Sequence, residues 1–360
     1  MKKLDEADKK AARKHVMGIV ENGLPLLKWM PTPSFVKLQP WRDAAKKVRI
    51  CILSAGDLEV FNGKLPPALK ACEMDEAEGK FTPETTVIGA SSANWATMMG
   101  ALAPLFSYKE FRPIIERSVP QGKIEQLEAN GVNPENILWV PEGRIGTDYA
   151  YELAAENPHF HLIDQYTHRG SVLGHKWTMD HVIRDLPRLA RKTYEHERVR
   201  IGRNLSLAAA VTGTCSTVAA EDEFLRPAFP GMKVWGIASM PGKQKVPGSR
   251  SKQKLDELKR IGGGFNYENI IDGGLIQDVT LDEAYSVNAE IVSPHFMDVG
   301  PTVALAVAGV WHRLGEYWMD HHESFDGLEN DAGIVLGFIY GMDKRLPYLG
   351  DPGYRKYFYD

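Results

Sequence analysis

Two short polar stretches of this sequence could do chemistry. Ser91, Ser92, Ala93, Asn94 and Trp95 follow the apolar run at 85–90 and open a second one, "ATMMGALAPLF". Gly213, Thr214, Cys215, Ser216 and Thr217 follow "LSLAAAV" and lead into "VAAEDEFLR". Hydroxyl and amide side chains where a strand gives way to a helix suit an anion. The backbone N–H groups there point outward and carry the positive end of the helix dipole. A plain loop capped by Ser or Thr is the simpler alternative for either stretch. No Gly-Lys-Ser/Thr follows, and no GxGxxG comes after the first strand, so a Walker loop and a nicotinamide site are disfavoured. Two such turns could hold a cofactor phosphate and a substrate carboxylate, an arrangement that suits pyridoxal phosphate and an amino acid.

The turns need elements to position them. "VRICILSA" (48–55), "TTVIGA" (85–90), "FRPIIER" (111–117), "ILWV" (137–140) and "HFHLID" (159–164) read as strands. So do "LSLAAAV" (205–211), "KVWGIAS" (233–239) and "AGIVLGFIY" (332–340). Helical stretches lie between most of them. Residues 65–80 tolerate Pro66 and Pro67 because both fall at the helix start. Residues 122–131 close on Gly131, and 302–318 form a long helix. Alternating strands and helices predict parallel sheets with crossover helices. The expected fold class is α/β: two three-layer α/β domains with mostly parallel sheets and a cleft between them. The expected division is 1–55 with 170–360 as the larger, cofactor-phosphate domain, and 56–169 as the smaller, substrate-loop domain.

Composition narrows the function classes. The chain has 360 residues, of which 43% are hydrophobic and 25% charged, with a net charge of −4. That balance gives no electrostatic reason for nucleic acid or an anionic membrane as partner. No apolar run is long enough to span a bilayer. The N-terminus, "MKKLDEADKKAARKHV", lacks an apolar signal core. Cys51, Cys72 and Cys215 form no CxxC pair, so a reducing, cytoplasmic setting is expected. His321 and His322 in "DHHESFD" lack the i, i+4 spacing of a metal helix, and no metal is expected there. "RLARKTYEHERVRIGR" reads as exposed mixed charge.

Five segments in register resemble the cysteine synthase and cystathionine β-synthase family of pyridoxal-phosphate enzymes, fold type II, with a tryptophan synthase β-like architecture. "SSANWA" stands where that family has S/T-S-G-N-T-G. "SVPQGKIEQLEANG" matches its lysine-led helix, and "HFHLIDQYTHRGSVLGH" its D-Q-[FY]-x-N-P-x-N-x-x-x-H stretch. "VTGTCST" stands for G-T-G-G-T. "VPGSRSKQKLDELKRIGGGFNYENI", followed by "LDEAY", resembles the last shared stretch.

The resemblance implies the site residues. Lys64 falls at the position of the cofactor lysine, although the family's flanking S-x-K-D-R is missing; Lys70 and Lys80 are the nearby rivals. Asn94 would meet the cofactor's phenolic oxygen. Ser91, Ser92 and Gln165 would hold the substrate carboxylate. Gly213, Thr214, Cys215, Ser216 and Thr217 would hold the phosphate. Ala93 and Cys215 each replace a family glycine, and Trp95 replaces a small hydroxyl residue. Trp95 is expected to wall the pocket, with core packing as the alternative. Asp298 aligns with the partner of the pyridine nitrogen, or else caps the helix starting near Thr302.

The implied activity is pyridoxal-phosphate-dependent β-replacement or β-elimination on a serine- or cysteine-derived amino acid, by a homodimer. A deaminating dehydratase or desulfhydrase of the same fold stays open. So does a non-catalytic relative that binds an amino acid or a partner protein, because S-x-K-D-R is lost.

Overall fold

The computed structural model describes residues 4–22, 27–30, 41–54, 62–198, 200–242, 246, 248–260, 267–292, 294, 299–341, 346–348 and 351–359. The chain begins with α1 (Glu6–Asn22), β1 (Lys28–Met30), α2 (Trp41–Lys46) and β2 (Val48–Ser54). Next come α3 (Leu65–Ala77), β3 (Thr86–Ser91), α4 (Asn94–Leu102), β4 (Glu110–Ile115) and α5 (Gln121–Ala129). They are followed by β5 (Leu138–Trp139), α6 (Gly146–Glu156), β6 (Phe160–Leu162), α7 (Gly170–Leu173) and α8 (Lys176–Glu197). Then follow β7 (Leu207–Val211), α9 (Ser216–Ala220), β8 (Lys233–Ile237), α10 (Lys252–Arg260) and α11 (Tyr267–Ile270). The last are α12 (Leu281–Val287), α13 (Pro301–Asp320), β9 (Val335–Gly341) and α14 (Pro352–Tyr359).

The strands form two sheets, as the alternation predicts. One has the order β1-β2-β9-β7-β8, the other β5-β4-β3-β6. All pairings are parallel except β1 with β2. Side chains alternate across the first sheet, as the two-residue period of a strand requires. Ile50, Ile52, Leu207, Ala209 and Ile339 face a core shared with Val303, Val307 and Leu314 of α13. Cys51, Leu53, Ala208, Ala210 and Phe338 face the opposite core, with Met179, Val182 and Leu186 of α8. Sheets covered on both faces explain why these strands read as unbroken apolar runs. The second sheet repeats the plan. Val87, Phe111 and Ile115 pack with α3 and α4, while Ile88, Ala90 and Ile114 pack toward Ala150 of α6.

Residues 188–197 are more than a charged surface. They complete α8, whose apolar positions recur every three or four residues among the charges.

Helix α3 is held unusually tightly at both ends. A Cβ on Gly174 would lie 2.4 Å from Pro67 Cα, and one on Gly170 2.6 Å from Ala71 Cα. Only glycine lets the two backbones approach so closely. At the far end Asp75, 1% exposed, accepts from Lys80 Nζ at 2.8 Å and pairs with His161 Nε2 at 2.8 Å and His168 Nε2 at 3.0 Å. Burial alone would raise the Asp75 carboxyl, but the bonds from His161, His168 and Lys80 hold it well below the usual carboxylate range.

Gly174→Ala is expected to destabilise the fold by about 1–3 kcal/mol, the usual cost of overpacking. Urea unfolding of variant and parent checks this; equal midpoints would show that the two backbones move apart freely.

Candidate functional site

The two polar turns meet across one cleft. The first leaves β3 and enters α4. Ser91 Oγ accepts from the backbone N–H of Ala93 at 3.0 Å and of Ala96 at 3.2 Å, which ties the turn to the first helical residues. Ala93 stands at φ 89°, ψ −43°, a conformation that L-residues avoid. Asn94 is pinned from two sides. Its Oδ1 accepts from Lys123 Nζ at 2.9 Å, and its carbonyl accepts from Asn62 Nδ2 at 3.2 Å. Lys123 is 1% exposed and lies 4.7 Å over the ring of Tyr348. With Oδ1 occupied, the Asn94 amide has N–H groups to offer the cleft. Gln165, in the turn after β6, donates an Nε2 hydrogen to Ala90 O at 2.7 Å.

The second turn carries the hydroxyls around Lys64. This residue ends the segment before α3, its N–H donating to Asn62 Oδ1 at 2.8 Å. Its amine reaches across to the other sheet, 3.4 Å from both Thr214 Oγ1 and Ser216 Oγ. Burial removes the water that favours the ammonium form and pushes the Lys64 amine down to about 8. Thr214 and Ser216 bond to each other at 2.8 Å. Behind them His175 is fully buried, with Nε2 3.3 Å from Thr217 Oγ1 and 3.5 Å from Ser216 Oγ. Burial, and then the Lys64 charge, hold His175 well below the usual imidazole range, so it stays neutral. Cys215, at the mouth of α9, adopts the left-handed conformation with φ 62°.

The cleft holds about 1130 Å³ of empty space, open solvent included. Lys64, Ser91, Ser92, Asn94, Trp95 and Gln165 line it together with Gly213, Thr214, Cys215 and Thr217. Ser216 is completely buried and stands behind that wall. Trp95 does both jobs expected of it: it lines the cleft, yet it is 1% exposed and packs in the core with Leu65 and Met99. Asp298 lies outside the described residues. Lys70 is on α3, paired with Glu73, and Lys80 is bound to Asp75, so neither amine lines the cleft.

Sequence reasoning passed over Arg250, Tyr166 and Thr302, which also line the cleft. No local pattern in the sequence marks Arg250 or Tyr166, and Thr302 reads only as a helix start. Lys123 and His175 support the site from behind.

This set of donors fits pyridoxal phosphate. A desolvated amine suits its aldehyde, a hydroxyl-bearing turn at a helix mouth suits its phosphate, and an amide with free N–H groups suits its phenolic oxygen.

The model of the family described as pyridoxal-phosphate dependent enzyme matches residues 65–318, and the chain belongs to that family. No curated protein matches it in sequence. Among solved structures it is similar to a hydrogen sulfide-producing enzyme from Fusobacterium nucleatum, at 16% identity and a TM-score of 0.67, covering 93% of this chain and 99% of that one. It is similar to O-ureido-L-serine synthase, at 14% identity and a TM-score of 0.67, covering 94% of each chain. An O-acetylserine dependent cystathionine β-synthase from Helicobacter pylori gives 14% identity and a TM-score of 0.62, covering 93% of this chain and 98% of that one. The fold is therefore the fold type II arrangement that the sequence suggested.

Two tests follow from this geometry. Capture of added pyridoxal phosphate by apoprotein needs the neutral amine. Its rate is expected to rise with pH around a midpoint of about 8, read from growth of the yellow absorbance. A midpoint near the ordinary lysine value would mean that Lys64 is not desolvated. Ala93→Gly relieves the positive φ and is expected to stabilise the protein by about 1 kcal/mol. A destabilised variant in thermal and urea unfolding would show that the turn carries no strain.

Proposed function

We propose that this chain uses pyridoxal phosphate for β-replacement or β-elimination on a serine- or cysteine-derived amino acid. One observation carries the reading. The Lys64 amine lies 3.4 Å from the hydroxyls of one turn, in a cleft whose other wall is Ser91, Ser92, Asn94 and Gln165. The solved relatives support it, since their names place serine derivatives or sulfide chemistry on the same fold. The two sheets are taken as the cores of two domains, 1–55 with 170–360 and 56–169. A cytoplasmic homodimer is part of the same proposal; among the described residues, no helix is long and apolar enough to cross a membrane.

When bound, the cofactor supplies a carbonyl that joins amines and a ring that accepts the electron pair left at the substrate's α-carbon. The residues do the rest. Lys64 would hold the cofactor, and its amine, once free, would take the α-proton as general base; a lowered affinity for protons suits it to do so near neutral pH. Thr214, Thr217 and the backbone of the turn hold the phosphate. Ser216 and neutral His175 keep those hydroxyls oriented. Lys123 fixes the Asn94 amide oxygen, which leaves the amide N–H groups as the donors that would serve the phenolic oxygen. Ser91, Ser92 and Gln165 receive the substrate carboxylate. Thr302, near the start of α13, also lines the cleft and would be one candidate partner for the cofactor's pyridine nitrogen.

The deciding experiment follows the visible spectrum of the purified protein on addition of L-serine, O-acetyl-L-serine and L-cysteine, with keto acid and thioether products assayed. A colourless protein that captures no cofactor would sink the proposal. Thr217→Ala is expected to weaken cofactor binding by about 1.5–3 kcal/mol, the worth of a hydrogen bond to a charged group, measured by equilibrium dialysis. Trp95→Phe keeps most of the core packing while shrinking the ring. It is expected to raise the ratio of thioether to keto acid with bulky thiols; an unchanged ratio would make Trp95 core packing alone.

A further inference from the structure

One cation on the cleft wall has no evident use in holding the cofactor or the α-carboxylate. Arg250 lines the cleft, and its backbone is fastened on both sides. Its N–H donates to Thr212 O at 2.8 Å, just beyond β7, and its carbonyl accepts from Ser239 N at 3.2 Å, just beyond β8. Next to it Ser249 Oγ bonds Ser239 Oγ at 2.5 Å. The side chain is as well placed as the backbone. The guanidinium lies 4.9 Å over the ring of Tyr166 and donates to the Tyr166 hydroxyl. Tyr166 is 5% exposed and directly follows Gln165.

A guanidinium has five N–H donors, and the Tyr166 hydroxyl takes one of them. Among the described residues, no carboxylate comes within ion-pair distance of Arg250. Glu116 lines the same cleft but acts on it only at longer range. Arg250 is partly buried, and a cation partly withdrawn from water without a counter-charge at hand is costly. One held rigid by backbone, stacking and a hydroxyl loses little freedom when an anion arrives, and a planar fork suits a carboxylate or a phosphate.

We infer that Arg250 is a specificity residue for a second negative charge, a carboxylate or phosphate on the side chain of the amino acid bound in this cleft. The inference rests on the amino-acid site proposed above. It separates this chain from one built for neutral serine esters, where a fixed cation beside Gln165 would have nothing to bind.

The test uses the holoprotein, with its visible absorbance as the binding signal. Three pairs are titrated: L-aspartate against L-asparagine, L-glutamate against L-glutamine, and O-phospho-L-serine against L-serine. At least one acid is expected to bind about tenfold or more tightly than its neutral partner. Arg250→Gln, and Arg250→Met, which keeps the stem's packing on Tyr166, are expected to abolish that preference while leaving the neutral amino acids bound as before. Two variants are made so that the result does not hang on one of them folding. If the neutral amino acids bind and no acid is preferred, the inference is overturned and the amino-acid site stands. Silence toward all six compounds overturns the amino-acid site, and the inference with it. If the variants lose affinity for pyridoxal phosphate but keep the parent's preference for acids, the guanidinium serves the cofactor phosphate and the inference fails.

Discussion

The chemistry proposed for this molecule depends on placing one amine where water is scarce. Lys64 leaves the segment before α3 and reaches the hydroxyls of a turn on the other sheet. The supports of α3 make sense in that light. Asn62 accepts the Lys64 N–H and donates to the Asn94 carbonyl, so one side chain ties the lysine to the opposite turn. Gly170 and Gly174 let α7 press directly on the helix backbone, and Asp75 binds its end to β6 through His161. An amine on a loose helix would find water and keep its proton.

Much of this was legible in the sequence. Strands buried on both faces announce themselves as apolar runs, and hydroxyl-rich turns between strand and helix are local patterns. The register of Lys64 ahead of α3 needed no tertiary knowledge either. Side-chain direction was harder to read. Ser216 belongs to the same turn as Thr214 and Thr217 yet faces inward, because successive helical residues point about 100° apart. Arg250 and Tyr166 are separated by 84 positions, and nothing in either segment names the other. Helix α8 is masked in the sequence by its many charges, although Met179, Val182, Leu186 and Ala190 line its buried side.

Two departures from the family pattern are instructive. Ala93 and Cys215 stand where the family pattern that the sequence resembles has glycine, and both have a positive φ, a conformation that costs a residue with a Cβ. Such strain persists where the surrounding structure over-determines the conformation. Here the determinants are visible: two bonds to Ser91 Oγ in one turn, and the linked hydroxyls of Thr214 and Ser216 in the other.

The placement of Lys64 between two sheets also bears on how long the protein lasts. In the proposed site, a cofactor held by the lysine on one wall and by the Gly213–Thr217 turn on the other would be a cross-link between them. Any ligand that binds only the folded chain shifts unfolding by mass action, by about 2.7 kcal/mol at a hundredfold excess over its dissociation constant. The lifetime of this chain in a cell would then track the supply of its cofactor, and vitamin scarcity would be felt first as loss of protein.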